Sequence, residues 1–235
     1  MMAMEGDSSK LWMNTAWTQK TFRDVEKDPS LLIIEYCVKD IGSKGDNYMS
    51  HMQLISIRLQ RTGNKDSEMF LVVNNVPQGR EVQKLIIETP SYPNEIKIFS
   101  HVFPKFQDIL EAIVPGRFKP FAARHIFSQN NFPYFLIVND LASEGFRIAT
   151  RQHSLDIDHC LLIARTLGSV EDVRLVDFQQ VVYSSCVIDL QHFIITSPSE
   201  EVRVAHTENI LKECHKELCL TLQLLGQAKK AISSQ

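Results

Sequence analysis

The fold is decided by the stretch MSHMQLISIRLQ at residues 49–60. Ile55, Ile57 and Leu59 fall on one face of an extended chain, and the residues between them are polar. Because successive side chains of a strand point to opposite faces, this period of two predicts a strand that is buried on one side only.

Two further strands are predicted on either side of this one. Before it lies LLIIEYCVKD (31–40), and after it lies MFLVVNNVP (69–77), and both are rich in β-branched and large apolar residues. Pro77 ends the third strand, because proline cannot donate a hydrogen bond to a ladder. The connections are polar and turn-forming, so the three strands predict an antiparallel meander.

The next part of the chain changes to helical spacing. Apolar residues recur every three or four positions in YPNEIKIFSHVFPKFQDILEAI (92–113), which predicts a helix that Pro104 kinks or splits. Two more strands are predicted at FAARHIF (121–127) and YFLIVNDL (134–141). An amphipathic helix is also predicted before the meander, at residues 9–28.

The last part of the chain is predicted to be mostly helical. A helix is expected at SLDIDHCLLIARTLG (154–168), a short strand at DVRLVDF (172–178), and a long helix or helix pair at 197–226. Ser197 is the predicted cap of that last helix, with Glu200 three residues on. The pattern predicts an α+β protein with a five-stranded antiparallel sheet, one inserted helix and a helical lobe.

Composition narrows the class of protein. The chain has 25 basic and 28 acidic residues and a net charge of −3, which predicts no nucleic-acid partner. No apolar run approaches the roughly 20 residues that span a bilayer, and the first ten residues lack the basic and apolar regions of a signal peptide. Five cysteines form no Cys-x-x-Cys pair. We therefore expect a cytoplasmic protein with reduced thiols and no membrane partner.

The order of these elements is that of a two-lobed, protein-kinase-like fold. In such a fold, the turn between the first two strands approaches nucleotide phosphates through its backbone N–H groups. The candidate residues of this turn are Gly45, Asp46, Asn47, Tyr48 and Ser50. An ordinary hairpin turn has the same composition, so the alternative of a purely structural turn stays open.

Three more positions match the kinase order. Glu95 lies on the inserted helix, where kinases keep the acid that pairs with a third-strand lysine; a glutamate on a helix surface is the alternative. Asn139, Asp140 and Leu141 end the fifth strand, where a hinge meets the adenine edge with backbone groups. Asp177 follows an apolar segment, and its carboxylate suits Mg²⁺.

Five segments in this order closely resemble the insect ecdysteroid kinase-like (choline-kinase-like) family, a relative of the aminoglycoside and choline phosphotransferases. They are GDNYMS, PNEIKIFSHVFPKF, IVNDLASEGFRIATRQHSLD, VRLVDFQ and IDLQHFIITS. The resemblance extends over nearly the whole chain. It implies an ATP- and Mg²⁺-dependent transferase that phosphorylates a hydroxyl group of a small hydrophobic molecule such as a steroid.

The resemblance also implies roles for individual residues. Residues 45–50 would cover the phosphates, Glu95 would be the pairing acid, residues 139–141 the hinge, and Asp177 the Mg²⁺ ligand. Asp189 matches an acid of the family's Asp-Leu motif, with a structural or site-supporting role. The implied N-lobe, the nucleotide-binding half, is 1–139, and 140–235 is the C-lobe.

The chain departs from the family pattern at two positions of the expected nucleotide site. Family members have a lysine on the third strand where this chain has Asn74, so the positive charge that holds the phosphates and pairs with Glu95 is absent. The hinge usually begins with glutamate, whereas this chain has Asn139. Because backbone groups meet the adenine there, we expect the second change to be mild.

A third departure removes the expected catalytic loop. A phosphotransferase of this type needs a base aspartate and a Mg²⁺-binding asparagine before the segment that leads to Asp177. Only residues 169–176 separate Gly168 from Asp177, and they contain neither a His-Gly-Asp sequence nor an asparagine. The simplest account is an internal deletion between Gly168 and Ser169, through exon skipping, a gene-model error or gene decay. The C-lobe is then incomplete, and no catalytic residue is assigned.

These departures predict that phosphotransfer by this chain is impaired, unless another acid such as Asp172 takes the place of the base. Two alternatives stay open. One is an inactive, pseudokinase-type module that binds a hydrophobic ligand or a protein partner. The other is a fragment without a function of its own.

Overall fold

The computed structural model describes residues 13–41, 50–63, 66–77, 79–148, 154–168, 173–179, 181 and 185–227. Its internal contacts divide the chain into two units. The first unit combines Met1–Ile96 with His125–Glu144, and the second combines Lys97–Arg124 with Gly145–Gln235.

The first unit is built on one five-stranded sheet in the order β1-β2-β3-β5-β4, with every neighbouring pair antiparallel. The strands are β1 (Leu32–Ile41), β2 (His51–Gln60), β3 (Ser67–Asn75), β4 (His125–Gln129) and β5 (Phe135–Asn139). The five predicted strands and their antiparallel arrangement are confirmed.

Helix α1 (Thr15–Glu26) covers one face of this sheet. The Asn14 side chain begins the helix by accepting a hydrogen bond from the Trp17 amide at 3.0 Å, as an N-cap residue does. The Phe22 side chain of α1 is buried against every second residue of the strands, the ones that face the helix. The fully buried sheet residues of this core include Ile55, Ile57, Leu59, Leu71, Val73 and Ile137. The period of two in β2 therefore buries the face that it predicts.

Helix α2 (Arg80–Glu88) was not predicted from the sequence. Val82 and Ile86, four residues apart, pack with Val76 and Tyr92 in a small core beside the sheet. Their spacing is the helical signal, but Gly79 and the short length of nine residues weaken it.

The predicted helix at 92–113 is split, as Pro104 predicts. Helix α3 (Ser91–Lys97) is followed by a π-helical turn at Ile98–Val102 and by α4 (Phe103–Ile113). Pro104 has no N–H to continue the ladder, and it lies in the first turn of α4, where a donor is not needed. The wider turn ends where the Phe103 amide donates to the Ile98 carbonyl, five residues back.

The second unit contains helices α5 (Ile157–Gly168), α6 (Cys186–Thr196) and α7 (Glu200–Leu224). Cys160 and Ala164 of α5 pack with Ile210 and Cys214 of α7 in a common core. Among the described residues, no helix is long and apolar enough to cross a membrane.

Two details of the second unit correct the sequence prediction. Residues 173–178 form no strand, because the backbone bond from the Leu175 amide to the Phe121 carbonyl at 2.9 Å is not repeated as a ladder within the described residues. The cap of α7 is Ser199 and not Ser197. Ser197 ends α6 instead, and its carbonyl accepts a hydrogen bond from the Leu155 amide.

Replacing Ser199 by alanine is therefore expected to destabilise the chain by about 0.5–2 kcal/mol, because the Val202 amide loses its side-chain acceptor at 3.2 Å. Ser197→Ala is the matched control, with an expected change within about 0.5 kcal/mol. Urea denaturation of both variants measures the difference. Equal destabilisation by the two substitutions would contradict the assignment of the cap.

Candidate functional site

A half-buried apolar row lies on the sheet face opposite α1. The strand register aligns Leu54 of β2 with Val72 of β3, and Val72 with Val138 of β5. Directly paired residues share a face of the sheet, so the three side chains form one continuous row across three strands. Such a surface suits the flat, apolar face of a nucleobase.

Asn74 lies two residues along β3 from Val72 and therefore on the same face. Its side-chain amide donates a hydrogen bond to the Glu95 carboxylate of α3, with Nδ2 and Oε2 3.1 Å apart. Glu95 is only 5% exposed. The structure thus joins the two residues that the kinase pattern pairs, but a neutral amide stands where that pattern has a cation.

Tyr92 fixes the orientation of this amide. Its hydroxyl lies 3.0 Å from Asn74 Oδ1 and 2.6 Å from the Asn75 carbonyl oxygen, and these two acceptors share its single hydrogen. Burial, and in smaller part the nearby Glu95 carboxylate, raises the pKa of Tyr92, so the hydroxyl keeps its proton. The amide oxygen of Asn74 therefore faces Tyr92, and the amide nitrogen faces Glu95.

Replacing Tyr92 by phenylalanine is expected to cost about 1–3 kcal/mol of unfolding free energy, because the one donor that two acceptors share at a buried position is lost. Tyr134→Phe is a matched control. The Tyr134 ring stacks on that of Tyr92 at 5.9 Å, but its hydroxyl makes no hydrogen bond within the described part of the chain. Chemical denaturation compares the two variants. Equal stability of the Tyr92→Phe and Tyr134→Phe proteins would contradict a stabilising hydrogen bond from the Tyr92 hydroxyl.

The predicted hinge residues lie at the end of β5, and the turn there is closed by their own side chains. Asp140 accepts hydrogen bonds from the Ala142 and Ser143 amides at 3.0 and 3.2 Å, and the side chain of Asn139 donates to Glu144. The Asp140 amide donates to the Phe70 carbonyl of β3 at 2.9 Å. The backbone of this turn is therefore held in place against the sheet.

Leu141 supplies the free donor of this turn. Its amide makes no hydrogen bond within the described ranges, whereas its carbonyl accepts from the Glu144 amide at 3.1 Å. A backbone N–H next to an apolar row is the kind of group that fixes the edge of a bound base.

The predicted phosphate turn is mostly outside the described residues. Gly45, Asp46, Asn47 and Tyr48 lie outside them, and Ser50 is half-buried immediately before β2. The register places the beginning of β2 beside the end of β3, where His51 pairs with Asn75. Ser50 therefore leads into β2 beside the end of β3 that carries Asn74.

Asp177 lies in the second unit, in the segment 173–178. Its backbone is left-handed, with φ of 65°, and its side chain is exposed. The following residue anchors the segment: the Phe178 ring meets those of Phe99 and Phe103 edge-on, at 5.5 and 4.8 Å. The structure therefore packs Phe178 and leaves the carboxylate of Asp177 in solvent.

Asp189 also lies in the second unit, in the first turn of α6, and it is exposed. An acid at this position is favourable because the helix dipole is positive at the N-terminus. A site-supporting role of Asp189 stays a prediction.

The groups that ATP and Mg²⁺ require are present only in part. The apolar row and the Leu141 amide are groups of the kind that an adenine requires. The phosphate side does not fit a transferase, because Asn74 has no charge and the interval 169–176 has no asparagine. Within the described ranges, no cluster of three His, Cys, Asp or Glu residues could hold a metal ion. No transfer step can be derived from these residues.

Sequence reasoning missed Tyr92 and the apolar row of Leu54, Val72 and Val138. The alternation of β2 predicts Ile55, Ile57 and Leu59 as the core face, and it assigns no role to Leu54 on the other face. The row becomes visible only when the register of three strands is known.

The class of protein follows from the sheet order, the helix inserted after β3 and the contact between Asn74 and Glu95: the architecture is α+β and kinase-like. A model of the ecdysteroid kinase-like family matches residues 44–170 and 167–227. This chain therefore belongs to the ecdysteroid kinase-like family, and the resemblance of its motifs is confirmed. Among curated proteins and among solved structures, no match to the chain was found.

Proposed function

We propose that this chain derives from an ATP-dependent small-molecule phosphotransferase, retains a weakened nucleotide site and is itself impaired in phosphotransfer. The observation that carries the proposal is the hydrogen bond between Asn74 and Glu95. The neutral Asn74 side chain occupies the position where the family pattern has the phosphate-holding cation. The same side chain engages the carboxylate of Glu95.

Retention of the nucleotide is supported by the first unit. The row of Leu54, Val72 and Val138 offers an apolar surface, and Leu141 offers a backbone donor. The sheet around this surface does not need a lysine at position 74 for its packing. Glu95 and Tyr92 provide the hydrogen-bond partners of the Asn74 side-chain amide.

Loss of transfer is supported by the missing catalytic loop. A positioned base contributes typically about 10²–10⁴-fold to a rate, and the lost metal ligand and lysine remove charge stabilisation in addition. Another acid such as Asp172 would have to take the place of the base, and Asp172 lies outside the described residues. The substrate class that the family suggests is a small hydrophobic molecule with a hydroxyl group.

The proposed deletion between Gly168 and Ser169 is supported by the family match. Its two matched segments, 44–170 and 167–227, meet at this junction. Exposed apolar side chains in the second unit also support the deletion. Ile195 of α6 is 65% exposed, and Val204 of α7 is 80% exposed. A missing helix and loop leave such surface uncovered.

The location that we propose is the cytoplasm. The cysteines whose side chains the structure describes form no disulfide, as expected in a reducing compartment.

Nucleotide titrations of the wild type and of Asn74→Lys test the nucleotide site. We expect Mg-ATP to raise the unfolding temperature of both proteins and to bind the lysine variant about tenfold more tightly, because a charge-assisted contact to phosphate is worth about 1.5–3 kcal/mol. Adenosine, which has no phosphates, is expected to bind the two proteins equally. Absence of any shift with Mg-ATP and adenosine would contradict a retained site.

A full-length family member serves as the positive control for transfer. The wild-type chain is expected to convert ATP to ADP at least about 10²-fold more slowly than this control, with a panel of hydroxysteroids as acceptors. Equal rates would contradict impairment, even if the nucleotide titration succeeded.

A further inference from the structure

A second cleft lies in the first unit, between the beginning of α2 and the turn that joins β4 to β5. Its volume is about 380 Å³, within the range of small-molecule sites. Phe132 and Tyr134 supply aromatic walls, with ring centroids 6.0 Å apart and planes nearly perpendicular. Tyr134 is held in turn by stacking on the buried Tyr92 ring.

This cleft is distinct from the candidate nucleotide surface. Asn75 lines it, and Asn75 is paired with Phe135 across the sheet. Because neighbouring residues of a strand point to opposite faces, Asn75 lies on the face opposite Asn74 and Val72.

Three amide side chains give the cleft its polar character, namely Asn75, Gln83 and Gln129. The nitrogen of each amide is already engaged. Gln83 Nε2 donates to the Pro77 carbonyl at 3.2 Å, and Gln129 Nε2 donates to the Pro133 carbonyl at 2.8 Å. Since a carbonyl can only accept, these bonds fix which way both amides face.

The orientation of the third amide follows from a short chain of hydrogen bonds. The Asp40 carboxylate can only accept, and it takes a bond from Gln53 Nε2 at 3.0 Å. Gln53 Oε1 therefore faces Asn75, and it accepts from Asn75 Nδ2 at 3.1 Å. In the described part of the chain, the side-chain amide oxygens of Asn75, Gln83 and Gln129 accept no hydrogen bond. The cleft thus combines aromatic walls with three amide oxygens that are able to accept.

From this combination we infer a second binding site, for a small aromatic molecule that carries hydroxyl or amine donors on its edge. The rings of Phe132 and Tyr134 contact the flat face of such a ligand, and the three amide oxygens accept from its donors. The inference does not rest on the nucleotide site, since it uses neither Asn74 nor the hinge.

Calorimetric titration with 2,7-dihydroxynaphthalene tests this site on the full chain. The matched probe is 2,7-dimethoxynaphthalene, which has the same ring system but cannot donate. We expect saturable binding of the diol with a Kd below about 1 mM and at least about tenfold weaker binding of the dimethoxy compound, because two donors are lost. Equal affinities, or no saturable binding of the diol, would overturn the assignment.

Two variants locate the binding to the cleft. Phe132→Ala removes an exposed wall, and Gln83→Met removes one acceptor at nearly constant volume; each is expected to weaken the diol about fivefold. Gln60→Met, at the exposed end of β2, is the control and is expected to bind as the wild type does. Unfolding temperatures verify that all three variants are folded. Unchanged affinity in both cleft variants would place the probe elsewhere and overturn the proposal.

Discussion

The substitution Asn74→Lys, combined with insertion of a full-length relative's catalytic-loop segment between Gly168 and Ser169, is expected to raise the rate of phosphotransfer at least about 10²-fold over the wild type. The insertion supplies the base and the second Mg²⁺ ligand, and the lysine supplies the charge that Asn74 lacks. ADP release in the presence of a hydroxysteroid panel measures the gain. The effect is the largest that the proposed function predicts, because two separate defects are repaired together.

The single changes show which defect dominates. Asn74→Lys alone is expected to improve the affinity for Mg-ATP without restoring transfer, since no positioned base is added. The insertion alone is expected to restore part of the rate. Replacing the base aspartate of the inserted segment by alanine is the matched control and is expected to return the rate to that of the wild type. A wild-type chain as active as the repaired one would contradict the proposal.

The second large effect concerns the core of the first unit. Phe22→Ala is expected to lower the free energy of unfolding by about 3–5 kcal/mol, because Phe22 is 1% exposed and its removal leaves a cavity between α1 and the sheet. The loss arises from the transfer of a large ring and from neighbours that cannot close the space. Because α1 covers the sheet face opposite Asn74, this variant also tests how firmly that sheet is held.

Val25→Ala is the matched control on the same helix. Val25 is 42% exposed, and its truncation is expected to change the free energy of unfolding by no more than about 0.5 kcal/mol. Urea denaturation followed by circular dichroism compares the two variants. Similar small losses for both would mean that α1 is not packed on the sheet as described.

The elements that the sequence predicts well are those whose burial follows one simple period. The alternation of Ile55, Ile57 and Leu59 predicts β2 and its buried face, and Pro104 predicts the break in the helix at 92–113. The segment 173–178 fails for a physical reason: its composition suits a strand, but a strand needs a partner with a matching ladder, and composition does not say whether one exists.

The candidate site is predictable only in part. The order of the elements brings Asn74 and Glu95 to the same place, and the structure joins them at 3.1 Å. The part played by Tyr92 depends on how α3 packs against β3, and the aromatic cleft depends on which amide nitrogens are already engaged. Neither leaves a periodic signal in the sequence. Both features arise from contacts between residues that are distant in the sequence.

The central claim is that this chain belongs to a phosphotransferase family but lacks the segment that performs transfer. Sequencing the transcript across the codons of Gly168 and Ser169 tests it most directly. The account predicts that the two codons are adjacent in the transcript, as they are in the chain. Codons for a catalytic loop with its aspartate and asparagine between them would contradict the deletion, and Asn74 alone would then separate this chain from an active family member.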